Sequence, residues 1–106
     1  MATFIMITRL SHQALQSPSS LEKLSHEIMG RIRRDCAGVE WESSYVVLGP
    51  ADYVDIFTAP DIETATKVAT IIRTFGHATT EIWAATEWDK FVQLTRSMPS
   101  AVITGS

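Results

Sequence analysis

Residues 45–58, Tyr-Val-Val-Leu-Gly-Pro-Ala-Asp-Tyr-Val-Asp-Ile-Phe-Thr, decide the fold. A β-branched and aromatic run meets Gly49-Pro50-Ala51-Asp52 and resumes at Tyr53, so two antiparallel strands, Val39–Leu48 and Tyr53–Thr58, are expected with a tight turn between them. Pro50 presets φ at the second turn position, and Ala51 at the third favours type I over type II, which calls for glycine there. Tyr53, Asp55 and Phe57 alternate with Val54, Ile56 and Thr58, which puts bulky groups on both faces and makes this strand central.

Working towards the N-terminus, Leu21, Leu24, Ile28 and Ile32 recur at helical spacing, with Lys23, Glu27, Arg31 and Arg34 away from that stripe. Ser19 and Glu22 have capping-box spacing, so the helix is expected to begin at Ser19, with Pro18 left in the polar connection Ser11–Ser20. Gly38 offers the left-handed residue that ends it. Ala2–Thr8, around Phe4, Ile5, Met6 and Ile7, reads as a further central strand.

Towards the C-terminus, Asp61 is placed to cap a second helix in which Ile62, Ala65, Val68, Ala69 and Ile72 hold helical spacing up to Phe75-Gly76. Ala78–Ala85 follows as the last strand. Thr86 is expected to cap a short final helix carrying Trp88, Phe91 and Val92, which Pro99 bars from continuing. We expect a single domain over residues 1–96 and a tail over 97–106.

Two strand-helix-strand units joined by a hairpin define an α+β, ferredoxin-like βαββαβ domain. Its four-stranded antiparallel sheet carries two helices on one face, with a short C-terminal helix added. The other sheet face is bare. We assign Phe4, Met6, Thr8, Tyr53, Asp55, Phe57, Glu81 and Trp83 to it, and Ile5, Ile7, Val54, Ile56, Ile82 and Ala84 to the side beneath the helices. So apolar an open face calls for a cover, and a second copy of the chain is the simplest, giving a homodimer with a space between two sheets.

Composition narrows the function. The hydrophobic share of 45% and charged share of 20% are those of a folded globular domain, neither disordered nor membrane-spanning. A net charge of −3 gives no long-range pull on phosphate backbones, so no nucleic-acid partner is expected. Arg31, Arg33 and Arg34 read as a solvated helix end. The single cysteine, Cys36, and the lack of a signal-like start suit a cytoplasmic protein, with the thiol packed in the first helix.

Leu48-Gly49-Pro50-Ala51-Asp52-Tyr53-Val54-Asp55, followed by Ala59-Pro60-Asp61, resembles the GYD domain family, named for a Gly-x-Tyr-Asp hairpin. The likeness runs from Phe4 to Phe91 through the strands, the Gly76 helix end, Thr80, Ala85 and Glu87. Gly49 and Asp52 match the motif, whereas its tyrosine falls on Ala51; Tyr53 next door would point to the opposite face of an extended chain. The resemblance implies a dimeric α/β barrel, and no single chemistry defines the family.

Candidate site residues follow from the face assignment. Asp55 and Glu81 are expected to point into the inter-sheet space as an acid or base, with His12 overhanging its mouth. Phe4, Met6, Tyr53, Phe57 and Trp83 are expected to line it for a small apolar or aromatic ligand. His12, His26 and His77 lack the spacing of a metal pair, so neither a metal nor a cofactor is expected. Three functions fit: a dimer binding a small molecule, a cofactor-independent monooxygenase- or isomerase-like enzyme, and a structural dimerisation module.

Overall fold

In a computed structural model, which describes residues 1–11 and 17–99, the chain runs through seven elements. They are β1 (Ala2–Leu10), α1 (Pro18–Asp35), β2 (Glu40–Val46), β3 (Tyr53–Ala59), α2 (Ile62–Phe75), β4 (Ala78–Ala85) and α3 (Trp88–Ser97). The strands form one antiparallel sheet in the order β2-β3-β1-β4, with β3 and β1 central as expected from their apolar faces. This is the ferredoxin-like βαββαβ arrangement plus a C-terminal helix.

Cross-strand pairing fixes which residues share a face. Phe4 lies opposite Phe57 and Ala84, Met6 opposite Asp55 and Ile82, and Thr8 opposite Tyr53 and Thr80. Phe4, Met6, Thr8, Phe57 and Thr80 are buried together with Ile28 and Ile32 of α1 and Val68 and Ile72 of α2, so this is the helix-covered face. Ile5 lies opposite Ile56 and Trp83, and Ile7 opposite Val54 and Glu81, on the face without helices.

The expected assignment is therefore inverted for β1 and β3: Phe4, Met6, Thr8, Tyr53, Asp55 and Phe57 lie under the helices, and Ile5, Ile7, Val54 and Ile56 lie on the open side. It holds for β4, with Glu81 and Trp83 open and Ile82 on the helix side. Both alternations of β1 are apolar, so strand periodicity carries no sign of which set goes inward. Ring size decides. Phe57, fully buried, stacks on Phe4 at 5.6 Å and on Trp41 at 5.0 Å, and this aromatic layer fills the space below the helices.

Several ends differ from expectation. Helix α1 starts at Pro18, in the first helical turn where its missing amide costs nothing, and Ser17 rather than Ser19 is the cap, accepting from the Ser20 amide at 3.2 Å. Gly38 has the expected positive φ of 84°, and a Cβ there would press on Pro60 Cγ at 3.1 Å. The β2–β3 connection is wider than a type I turn. Val47 N donates to Asp52 O, while Asp52 N donates to Thr8 O rather than back to Gly49.

Asp61 caps α2 as expected, accepting from the Thr64 amide at 2.8 Å, and that bond together with the Thr64 hydroxyl pulls its carboxyl below the usual range. At Gly76 a Cβ would stand 2.6 Å from Ile72 O, which accounts for glycine at the helix end. The left-handed residue is His77, with φ 51°, and its carbonyl accepts from Ser11 N. Ile62, counted in the apolar stripe of α2, is exposed instead.

Helix α3 is capped at Glu87 without a side-chain bond, not at Thr86, and none of its residues is buried. Trp88 and Phe91 contact each other at 5.3 Å on an exposed stripe. Arg31 of the basic trio stacks on Phe75 at 3.8 Å and ties α1 to α2. No helix among the described residues is long and apolar enough to cross a membrane.

Candidate functional site

Helix α1 touches the core through Ile28 and Ile32 near its C-terminal end, whereas Leu21 and Leu24 near its start are only half-buried. Beneath that first half lies a partly open cavity of about 430 Å³. Leu21, Leu24, Ile28 and Met29 form its roof, and Met6, Thr8, Trp41, Tyr53 and Asp55 its floor. That volume is in the range of small-molecule sites, and the walls are mainly apolar, with polar groups at the floor and Glu22 and Ser25 on the α1 side.

Asp55 is the principal polar group. The Trp41 indole Nε1 donates to its Oδ1 at 3.2 Å and to Ser44 Oγ at 2.9 Å, so strand β2 holds the carboxylate from the side. Burial pushes the Asp55 carboxyl above the usual carboxylate range, and the hydrogen bonds from Ser44 and Trp41 offset only part of that. Two strand positions away on the same face, the Thr8 hydroxyl is buried and has no hydrogen-bond partner among the described residues. Burial, with the nearby charges of Asp52 and Asp55, also raises the Tyr53 phenol.

The structure brings three of the expected site residues together at this cavity: Asp55, Met6 and Tyr53. Phe4 and Phe57 lie in the aromatic layer of the core and do not line it. Glu81 and Trp83 are on the opposite face of the sheet, where Glu81 pairs with Arg9 at 3.4 Å. An Asp55–Glu81 acid-base pair is therefore ruled out by the sheet itself, since side chains on opposite faces cannot meet. His12 lies outside the described residues.

Trp41, Ser44, Thr8 and the α1 roof were not singled out from the sequence as site residues. In the sequence Leu21 and Leu24 simply continue the apolar stripe of Ile28 and Ile32, and nothing there separates residues over a cavity from residues in a filled core. Cys36 is buried and free, and burial pushes its thiol up, as suits a packing residue. No group of three or more His, Cys, Asp or Glu side chains converges among the described residues.

A ferredoxin-like domain with a cavity between its first helix and its sheet is the class that this geometry defines. The chain belongs to the GYD domain family, whose match covers residues 4–95. No curated protein matches it. Among solved structures it is similar to the leucine response regulatory protein of Mycobacterium tuberculosis, at 17% identity and a TM-score of 0.55, over 81% of this chain and 51% of that one. The chain thus spans about half the length of that regulator.

It is also similar to FFRP-DM1, at 17% identity and a TM-score of 0.53 over 81% of this chain and 100% of that one. A protein of Arabidopsis thaliana follows, at 10% identity and a TM-score of 0.50 over 82% of this chain and 95% of that one. These likenesses establish the fold.

Proposed function

We propose that this GYD domain is a homodimeric cytoplasmic protein that binds a small apolar or aromatic molecule, and that the site is the cavity beneath α1 rather than a space between two sheets. The observation that carries this reading is the cavity itself, about 430 Å³ between a roof of Leu21, Leu24, Ile28 and Met29 and a floor that includes Met6, Trp41 and Asp55. A domain serving only to dimerise has no need of such a space, because a filled core is more stable by the contacts its lining forgoes.

Pairing rests on the open face. Ile5, Ile7, Val54, Ile56 and Trp83 form a contiguous apolar surface there, with Trp83 52% exposed, and a second copy shields it from water by two-fold symmetry. The cavity and the pairing face lie on opposite sides of one sheet, so each copy carries a site of its own.

A second reading, a cofactor-independent enzyme, is favoured by one observation: Asp55 is held above the usual carboxylate range next to a space where a substrate fits, as a general base requires. Native mass spectrometry of the freshly purified protein tests the binding reading. A co-purified small molecule that is lost on unfolding supports it; a protein that carries none and takes up no hydrophobic probe contradicts it.

A further inference from the structure

Among the described residues, the charges that line the cavity under α1 are of one sign. Asp55 stands at its floor and Glu22 on its roof, and among the described residues no lysine, arginine or histidine lines it. Asp55 belongs to no ion pair among the described residues; the Arg9–Glu81 pair lies across the sheet. A carboxylate withdrawn from water is ordinarily matched by a cation, and among the described residues the protein supplies only hydrogen bonds from Ser44 and the Trp41 indole. The rings of Trp41 and Tyr53 border the same space.

Resting on the binding reading above, we infer that the ligand is an amphipathic amine, an apolar or aromatic body carrying one protonated nitrogen, with Asp55 as its counter-ion. The apolar body lies against Leu21, Leu24, Ile28 and Met29. The ammonium is directed to Asp55, in a space that the Trp41 and Tyr53 rings border. A neutral alcohol of the same shape makes a weaker bond to the carboxylate. A carboxylic acid or phosphate ester meets two acidic side chains and no basic one. An ammonium beside Asp55 would favour the carboxylate form that burial disfavours.

Three naphthalene probes of one shape, 1-naphthylmethylamine, 1-naphthalenemethanol and 1-naphthoate, titrated calorimetrically into the full chain at neutral pH, test this. The amine should bind about tenfold or more tightly than the alcohol, as a charge-assisted hydrogen bond exceeds a neutral one, and the naphthoate should bind weakest. Asp55→Asn, with its fold checked by circular dichroism, should erase the preference for the amine. An alcohol or acid that binds the wild type as tightly as the amine overturns the inference and leaves the cavity reading intact, as does an amine preference that survives in Asp55→Asn. If no probe binds, both fall.

Discussion

Asp52 and Leu10 are joined across 42 positions of sequence: the Asp52 carboxylate accepts the Leu10 amide at 2.8 Å. The Asp52 amide donates in turn to the Thr8 carbonyl at 2.9 Å, so the β2–β3 connection is clamped to the end of β1. Arg9 adds a bond from Nε to Pro50 O at 2.6 Å. The aspartate that matches the family hairpin thus holds the floor of the cavity in register, because Thr8 and Tyr53 face each other just inside this clamp. Asp52→Ala leaves a half-buried amide unpaired and should cost about 1–3 kcal/mol of stability, with Asp52→Asn costing less. Urea unfolding of the two variants measures the difference.

The aromatic layer carries the core. Phe57 is fully buried between Phe4 and Trp41, so Phe57→Ala removes the middle ring of three. The expected loss is about 3–5 kcal/mol, a large share of the stability of a domain this size, read as a fall in the urea midpoint. A loss below about 1 kcal/mol would mean that the ring is not enclosed.

Asp55 makes stability depend on pH in a definite direction. A carboxyl whose pKa is raised on folding holds its proton more tightly in the native state, so stability falls as pH rises from the unfolded value through the folded one. Asp55→Asn has no charge to bury there. It should exceed the wild type in urea midpoint at pH 7, and the gap should close below the ordinary carboxylate value of about 4. A gap that widens on acidification would contradict the burial of this group.

The proposed pairing rests on the open face. Trp83→Ala should weaken the dimer by about 2 kcal/mol, roughly thirtyfold in Kd, as a central aromatic anchor does. Ile5→Asp, opposite both Ile56 and Trp83, should give monomers in sedimentation velocity. Unchanged sedimentation in both variants would remove the sheet face from the interface.

Element order, the central strands and the helix stripes were legible because each has a local signal: alternation, three- and four-residue spacing, Asp61 as a cap, Gly38 as a left-handed residue. Strand β4 was also legible by face, since Ile82 and Trp83 differ in how well they fit beneath a helix. The faces of β1 and β3 were not. Phe4 and Met6 are as apolar as Ile5 and Ile7, and only the long-range stacking of Trp41 on Phe57 decides between them. That inversion hid the site. It moved Asp55 away from Glu81 and under α1, where Trp41, not singled out from the sequence, becomes its partner.

Backbone amide shifts on adding a naphthalene probe test the central claim most directly, because the two sides of the sheet report separately. Binding beneath α1 predicts that Leu24, Met29 and Tyr53 shift together with the Trp41 indole, while Trp83 stays still. Saturable shifts centred on Trp83 and Ile56, or none at all, would contradict it.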